Sequence, residues 1–357
     1  MNCITRMFRT VSNSKNIPIS HICRVKQLST SHMTRISSSQ IKQNSVVDNT
    51  IPTVDKTIPV VNNRYQGFLR TCILDWSGTT ADKYVIAPAI VFYNVFKKHG
   101  VPISMEEARL PMGLRKDLHI EQILEIPDVK ERWTRIKGHE PTSSDVDTLF
   151  EDFLPMQLEC LPQYSGLLDE TLQVVDKLRT DYGLSLGLTT GFTRAMVDVL
   201  LEQTKRQGLT LDVTVAGDEV TNGARPKPFM VYRNLDLLNA WPIQSVVKVD
   251  DTVGGVGEGL NAGCWSVGIA RYSNYMNINT YEEEEELGGE EVYRRLQHSR
   301  YTLCKAGPHY VIDTLEQLPA VIKSINFRLA NGLQPGDNYN VVTFYGNEFK
   351  DYKYMDH

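Results

Sequence analysis

Short apolar runs alternate with amphipathic stretches along most of the chain, a pattern that predicts strands and helices in turn. The first apolar run, over residues 68–74, predicts a short buried strand that ends just before Asp75. Further strands are predicted over 184–189, 211–215, 245–249, 265–269 and 309–312, and helices over 168–180, 193–206, 227–240, 256–262 and 314–329. Regular alternation of this kind is typical of a doubly wound parallel sheet, so the predicted fold class is α/β.

A purely helical block separates the first strand from the rest of this alternation. Pro88 and Gly100 mark the ends of its first helix, and Ser104 with Glu107 forms the capping box of a second. More helical spacing follows over 114–124, 128–138 and 144–160. These residues predict a helical cap domain over 85–163, inserted after the first strand of a core domain that is formed by residues 67–84 and 164–330.

The two ends of the chain differ from this body in composition. Residues 1–47 hold seven basic residues and no acidic one, and they are rich in Ser, a composition typical of an organelle-import peptide. The expected location is therefore the mitochondrial matrix, with a disordered tail on a cytoplasmic protein as the alternative. Residues 48–66 predict a linker, and the polar, aromatic residues 331–357 show no periodicity and predict a C-terminal tail. The acidic run 282–286 fits a solvated loop or a helix start.

Composition narrows the class of protein. The 357 residues are 41% hydrophobic and 23% charged, which is ordinary for a globular protein, and no apolar stretch is long enough to span a bilayer. The net charge is -5 although the first 47 residues are basic, so the body is acidic and does not favour nucleic acid or an anionic membrane as a partner. The six cysteines are scattered and form no metal or redox motif.

Candidate chemistry gathers where the predicted strands end. Asp75 follows the first strand, Thr189, Thr190 and Gly191 end the second, Arg225 follows the third, and Asp250 and Asp251 end the fourth. Because the carboxyl ends of parallel strands share one edge of a sheet, these groups are expected to meet there. Hydroxyl, amide and guanidinium donors suit a phosphate, and adjacent carboxylates suit Mg²⁺. Each group taken alone has a plainer alternative: a turn-capping Asp, a helix-capping Thr or a surface Arg.

The four motifs, in this order, resemble those of the haloacid dehalogenase superfamily of hydrolases over residues 68–275. That resemblance implies that Asp75 attacks phosphorus to form an aspartyl-phosphate, and that Mg²⁺ is held by Asp75, the backbone carbonyl of Ser77 and Asp251. Phosphatases of the superfamily usually carry a second Asp at the position of Ser77, which protonates a departing alkoxide. A serine cannot do so, and this argues against cleavage of an ester.

The cap contributes Lys116 and His119, three residues apart on one face of a predicted helix. A lysine in a dry cap has a lowered pKa and attacks aldehydes, whereas a single Lys on an amphipathic helix is more often a solvated charge. Together with Ser77, the segment 112–116 resembles the phosphonoacetaldehyde hydrolase family. This resemblance implies cleavage of the carbon–phosphorus bond of phosphonoacetaldehyde to acetaldehyde and phosphate, in a homodimer that pairs through the cap helices.

The same resemblance assigns roles to individual residues. It implies a Schiff base on Lys116, proton transfer by His119, a pocket lined by Met112, and phosphate held by Arg225 and the segment Thr189, Thr190 and Gly191. Four positions depart from the family pattern. Gly255 replaces a second acid, Asp250 replaces a frequent Gly and is expected to compensate as a metal ligand, Phe192 replaces Tyr, and Val85 replaces Cys. A phosphatase of small phosphate esters and a non-catalytic binding protein are the alternative functions.

Overall fold

The computed structural model describes residues 64–338, 340–345 and 348–351. The predicted import peptide over residues 1–47 and most of the predicted linker lie outside the described residues. Within the described part, eight strands are present: β1 Thr71–Leu74, β2 Ser185–Thr190, β3 Val213–Ala216, β4 Val246–Asp250, β5 Trp265–Ile269, β6 Tyr310–Ile312, β7 Val342–Tyr345 and β8 Glu348–Asp351.

All eight strands join one sheet in the order β3-β2-β1-β4-β5-β6-β7-β8. Every neighbouring pair from β3 to β7 is parallel, and only the pairing of β7 with β8 is antiparallel. The predicted α/β class with a doubly wound parallel sheet is confirmed. Strand β1 lies between β2 and β4, where the strand order reverses. Ligands of such sheets bind at this switch point, directly beyond the end of β1.

Helices cover both faces of the sheet because its strands are apolar on both sides. Cys72, Ile73 and Leu74 of β1 are all fully buried. The helices after β2 are α7 Arg194–Arg206, α8 Phe229–Leu238, α9 Val253–Ala262, α10 Tyr281–Glu286, α11 Gly289–Lys305 and α12 Leu318–Ala330, and α6 Thr171–Thr180 precedes β2. Helices α6 and α12 pack on the face that also presents Leu74, Val249 and Trp265. Burial on two faces fits the near-continuous apolar composition of parallel strands.

Five helices follow β1 in the chain before α6: α1 Ile86–Lys98, α2 Met105–Arg109, α3 Lys116–Leu124, α4 Pro127–Lys137 and α5 Ser143–Cys160. Their buried residues include Phe92, Phe96 and Phe153, and this apolar cluster continues into the sheet-side residues Leu188 and Phe192. Helix α2 has the predicted capping box: its Ser104 hydroxyl accepts from the Glu107 N–H at 3.0 Å, and the Glu107 carboxylate accepts from the Ser104 N–H at 2.7 Å. The helical insertion after the first strand is confirmed.

Two regions differ from the sequence-based expectations. Residues 331–357, predicted as a C-terminal tail from their lack of periodicity, contain two strands in the described part, because β7 and β8 extend the sheet there. The Val342 N–H donates to the His309 carbonyl at 3.1 Å, and Val342 and Thr343 are buried, so pairing of β7 with β6 supplies the order that local periodicity did not indicate. Helix α11 was also missed. No helix in the described ranges is long and apolar enough to cross a bilayer.

Candidate active site

Asp75 lies immediately beyond β1, and its carboxylate is buried at the carboxyl edge of the sheet. Its Oδ1 accepts a hydrogen bond of 2.6 Å from Nη2 of Arg225. Burial raises the pKa of Asp75, and the neighbouring Arg225 charge opposes that shift. Carboxylate oxygens of Asp75, Asp250 and Asp251 lie within 4.8 Å of one another. Three acids from two adjacent strands therefore meet at one point, as expected from the sequence.

Arg225 connects the nucleophile candidate to the strands on both sides. Besides Asp75, its Nη2 donates to the Thr189 carbonyl at 2.8 Å and to the Thr189 hydroxyl at 2.9 Å. Its Nε donates to Glu258 at 3.1 Å, and Asp250 Oδ2 lies 3.1 Å from Nη2. Although burial alone would lower the pKa of this guanidinium, the three surrounding carboxylates raise it. Arg225 is therefore a permanently charged group in a fixed orientation.

Asp250 is held by donors on both oxygens. Lys248 Nζ donates to its Oδ2 at 2.6 Å, and the hydroxyl and N–H of Thr252 donate to its Oδ1 at 2.7 Å and 3.0 Å. Burial acts to raise the pKa of Asp250, but the charges of Arg225 and Lys248 outweigh it, so the pKa lies below its ordinary value. Asp250 is thus an ionised carboxylate with its bonding capacity largely used.

Asp251 has the opposite environment. Its Oδ2 accepts from the Asn274 N–H at 3.0 Å, while its buried Oδ1 has no hydrogen-bond donor within the described part of the chain. Burial and the charges of Asp75 and Asp250 raise its pKa well above the ordinary value. A divalent cation between Asp75 and Asp251 would offset this repulsion and give Oδ1 of Asp251 a partner, so this pair of carboxylates fits a hard metal ion.

Lys116 faces the acids from the cap side, as the first residue of α3. Its ammonium group lies 4.6 Å from the centre of the Phe192 ring and 5.9 Å from that of Phe92. No hydrogen bond or ion pair to Nζ is present among the described residues. Burial lowers the pKa of Lys116 to about 8, while the negative charge of Asp75 limits the shift. A substantial fraction of this amine is therefore neutral near pH 8.

His119 lies one turn further along α3, fully buried, with its ring stacked on Phe92 at 3.9 Å between centres. The ring is 2.9 Å from the Ala108 carbonyl through Nε2, and a carbonyl only accepts, so Nε2 carries the proton. Nδ1 has no partner in the described part of the chain. Burial, and to a lesser degree the charge of Lys116, keeps the pKa of His119 well below its ordinary value, so the imidazole is neutral.

A small cavity of about 20 Å³ separates the two sides, room for roughly one water molecule. The cap approaches the sheet closely here, because a Cβ at Gly191 would lie 2.4 Å from the Leu114 carbonyl oxygen. The lining residues are Asp75, Ser77, Val85, Pro88, Met112, Gly113, Lys116, Thr190, Gly191, Phe192, Arg225, Asp251 and Thr252. A carboxylate cluster and a desolvated amine therefore face one another across a single space.

Eight of the eleven residues that were given a catalytic, binding or metal role from the sequence line this cavity: Asp75, Ser77, Met112, Lys116, Thr190, Gly191, Arg225 and Asp251. The other three lie behind it. Thr189 is occupied with Arg225 and with Glu258, to which its hydroxyl donates at 3.1 Å. His119 packs among the cap helices, and Asp250 contacts Arg225 outside the cavity lining. Of the two threonines, Thr190 is the one that faces the space a ligand would use.

Two supporting residues were missed in the sequence. Lys248 and Glu258 are fully buried, and each contacts a carboxylate or guanidinium of the site. A signal for Lys248 was present, since it precedes Asp250 by two residues on a strand, and residues so spaced share a face. A lysine within an apolar strand also requires an anionic partner. Glu258 lies on α9 beyond the motif, and spacing gave no indication that its side chain turns toward Arg225.

Known proteins are similar to this chain over most of its length. No family model matches the chain. The chain is 39% identical over 257 residues to the phosphonoacetaldehyde hydrolase of Bacillus cytotoxicus, and the aligned region covers 72% of this chain and 96% of the relative. It is 36% identical over 271 residues to the enzyme of the same name from Nitratidesulfovibrio vulgaris, covering 76% of this chain and 96% of the relative.

Solved structures give the same result. A phosphonoacetaldehyde hydrolase-like protein from Oleispira antarctica superposes with a TM-score of 0.73 at 36% identity, over 76% of this chain and 97% of the other. A hydrolase from Pseudomonas syringae matches with a TM-score of 0.51 at 17% identity, over 71% of this chain and 98% of the other, and shows only that the fold is shared.

These relatives correct one prediction and confirm another. The predicted mitochondrial location is wrong: the curated relatives named above come from bacteria, which have no mitochondria, and residues 1–47 lie outside the described part of the chain. The compositional pattern of an import signal is loosely defined, and a basic segment without acids arises for other reasons. The predicted resemblance is confirmed by identity over most of the chain together with the shared fold. The chain belongs to the phosphonoacetaldehyde hydrolase family of haloacid dehalogenase-type hydrolases.

Proposed function

We propose that the protein hydrolyses the carbon–phosphorus bond of phosphonoacetaldehyde to acetaldehyde and phosphate. One observation carries this proposal: a buried amine with a pKa near 8, on Lys116, shares a small cavity with the carboxylate of Asp75. A phosphatase has use for the carboxylate alone. A reaction that must make a carbon atom leave phosphorus needs both groups, because an electron sink on the carbon side replaces the missing protonated oxygen.

The imine is the first step of the proposed mechanism. Neutral Lys116 attacks the aldehyde carbon, water is lost, and an iminium ion forms on Nζ. The apolar faces of Phe92 and Phe192 exclude bulk water from this nitrogen and keep the amine nucleophilic. His119 is proposed as the group that moves protons here, since its Nδ1 has no hydrogen-bond partner in the described ranges and its imidazole is neutral. It lies behind the cavity wall, so its protons would pass by way of Lys116.

Phosphoryl transfer follows on the sheet side. An oxygen of Asp75 attacks phosphorus, the carbon–phosphorus bond breaks, and its electron pair moves to the iminium to give a neutral enamine. Protonation of the enamine carbon and hydrolysis release acetaldehyde and restore Lys116. Water then hydrolyses the aspartyl-phosphate to phosphate. Arg225, Thr190 and the backbone at Gly191 line the cavity where phosphate oxygens would lie, so they are proposed to bind them.

Mg²⁺ is the proposed metal. Asp75, the Ser77 backbone carbonyl and Asp251 would hold it, and the free Oδ1 of Asp251 is the observation that supports this set. When bound, the ion would supply positive charge to the phosphoryl oxygens and to the attacking carboxylate. Asp250, which the sequence also indicated as a ligand, already receives hydrogen bonds on both of its oxygens.

Helices α1–α5 are proposed to form a movable cap domain. The cavity between them and the sheet holds roughly one water molecule and is too small for a two-carbon phosphonate. Substrate binding would therefore require the cap to move away from the sheet and close again afterwards. Pairing of two chains through the cap helices, which the family resemblance implies, stays a prediction that sedimentation analysis would test.

The decisive experiment measures acetaldehyde release from phosphonoacetaldehyde and Mg²⁺ by the protein and by Lys116→Arg. An arginine keeps the positive charge but forms no imine, so release should fall at least about 10⁴-fold. Lys205→Arg, on the exposed side of α7, is the matched control and should behave as the parent protein. Borohydride added with substrate should attach a reduced adduct to the parent protein and not to Lys116→Arg. Hydrolysis of phosphate esters without acetaldehyde release would favour the phosphatase alternative.

A further inference from the structure

Gly255 lies in the first turn of α9, and the space in front of it is filled by another residue. A Cβ built at this position would lie 1.9 Å from both Cγ and Oδ2 of Asp250 and 2.1 Å from its Oδ1. These distances are far below any non-bonded contact. The Asp250 carboxylate therefore occupies the place where a side chain at position 255 would begin, and the two positions are sterically exclusive.

From this place Asp250 contacts the guanidinium of Arg225. Its Oδ2 receives Lys248 Nζ at 2.6 Å and lies 3.1 Å from Arg225 Nη2, while its Oδ1 receives the Thr252 hydroxyl at 2.7 Å. Asp250 thus links the end of β4, the start of α9 and Arg225. Without it, the buried Arg225 would retain Asp75 and Glu258 as anionic partners, and Asp75 is the group that must be released to react.

The same contacts argue against Asp250 as a metal ligand, although its oxygens lie within 4.8 Å of those of Asp75 and Asp251. A cation on Oδ2 would have to displace the ammonium of Lys248 and approach the guanidinium of Arg225. Both are positive and buried, so the repulsion would be poorly screened. Asp251, in contrast, presents a buried oxygen with no donor in the described ranges.

We propose that Asp250 is a positioning residue that holds Arg225 ready for phosphate, and that the missing side chain of Gly255 is what admits it. This inference rests on the proposed function, in which Arg225 binds the phosphoryl group. It separates the acids of the site into two kinds. Asp75 and Asp251 face the metal, and Asp250 sets the geometry of the anion site.

The first test compares Asp250→Asn with Asp251→Asn by calorimetric titration of the whole protein with Mg²⁺ alone and with inorganic phosphate alone. For Asp250→Asn, phosphate affinity should fall at least about tenfold because a buried charged hydrogen bond is lost, while Mg²⁺ affinity stays within about threefold. For Asp251→Asn, Mg²⁺ affinity should fall at least about tenfold. Asp236→Asn, an exposed carboxylate paired with Arg233, is the control and should change neither. A tenfold loss of Mg²⁺ affinity in Asp250→Asn would overturn the proposal.

The second test addresses Gly255 and does not depend on Asp250→Asn remaining well folded. In the parent protein, Gly255→Ala should displace Asp250 and weaken phosphate binding about tenfold. In Asp250→Gly the space is open, so adding Gly255→Ala should change phosphate binding by less than about threefold. Equal effects in both backgrounds would show that the two positions are independent and would refute the steric coupling.

Both tests measure binding rather than turnover, so they are separable from the proposed reaction. If the parent protein binds Mg²⁺ and phosphate as described but releases no acetaldehyde, the proposed function fails and the role of Asp250 stands. If turnover is normal and Asp250→Asn loses Mg²⁺ instead of phosphate, the inference fails and the proposed function stands.

Discussion

Buried ionisable groups have opposite environments on the sheet side of the cavity and on its cap side, which helix α3 forms. On the sheet side, Arg225 and Lys248 are buried beside carboxylates, and every one of these groups has a partner of opposite sign. On the cap side, Lys116 and His119 are just as buried, yet they lie among aromatic rings with no counter-ion among the described residues. Burial acts on both sides, but only the sheet side has ion pairs that compensate it, and there Asp251 is the exception.

The pKa values follow from this difference. Partners lower the pKa of Asp250 and raise that of Arg225, so both stay charged. Burial without an ion pair among the described residues lowers the pKa of Lys116 to about 8 and that of His119 well below its ordinary range, so both tend toward neutrality. The sheet side of the cavity, with Arg225, Lys248 and their carboxylates, is a charged wall that suits an anionic phosphonate, and the neutral amine of Lys116 suits an aldehyde. The contrast therefore matches the two ends of the proposed substrate.

The largest effect is expected for Asp75→Asn, which removes the proposed nucleophile but keeps an oxygen that Arg225 can bind. Turnover should fall at least about 10⁴-fold, because an amide does not form the acyl phosphate. Single-turnover assays with phosphonoacetaldehyde measure this loss, and circular dichroism checks the fold. Asp198→Asn, an exposed carboxylate on α7, should retain full activity. Residual turnover within tenfold of the parent would show that the charged wall acts only by binding.

The next effect is the dependence of rate on pH, which tests the uncompensated cap side. The pKa of Lys116 lies near 8, below its ordinary 10.5, and the reactive form is the neutral amine. The rate constant kcat/KM should therefore level off above about pH 8 and fall tenfold per unit below it, to about one hundredth at pH 6. A limb near pH 10.5 would mean that Lys116 is solvated or paired, and the contrast between the two sides would be lost.

Much of the sheet side could be predicted from the sequence, because strand ends gather by topology. Asp75 and Asp251 follow the adjacent strands β1 and β4, so strand order brings them together, and the loop after β3 carries Arg225 to the same cavity. The roles of Thr189 and Thr190 could not be separated this way. Successive strand residues point to opposite faces, but only the positions of Glu258 and Arg225 decide which of the two hydroxyls they engage in hydrogen bonds.

The cap side was less accessible to sequence reasoning. Helical spacing placed Lys116 and His119 on one face, but not the rings that dehydrate the amine or the carbonyl of Ala108 that fixes the imidazole. Helix α11 was missed because few of its positions are apolar, and its order comes from packing against the sheet through Leu303 and Cys304. Strands β7 and β8 likewise depend on a distant partner strand, which no local pattern reveals.

A smaller loss is expected for Arg225→Lys, which tests whether the charged wall needs geometry as well as charge. Lysine keeps the positive charge but lacks the planar fork that here reaches Asp75, Thr189 and Glu258 at once. We expect kcat/KM to fall about 10- to 100-fold, with weaker phosphate inhibition as the matching binding signal. Arg206→Lys, an exposed residue of α7, serves as the control. Unchanged phosphate inhibition would show that charge alone suffices.

The smallest effect concerns the contact between the two sides. A methyl group at Gly191 would lie 2.4 Å from the Leu114 carbonyl oxygen. Gly191→Ala should therefore push the segment around Leu114 away from the sheet and admit water beside Lys116. Overpacking of this size costs about 1–3 kcal/mol, so kcat/KM should fall about tenfold or somewhat more. Because water would also hydrate the amine of Lys116, the apparent pKa of the pH–rate profile should rise from about 8 toward 10.5. Gly166→Ala is the matched control, since a Cβ there meets no atom within 4 Å. A lower rate with an unmoved pH profile would mean that closure orients the substrate without drying the amine, and the low pKa of Lys116 would then arise within the cap alone.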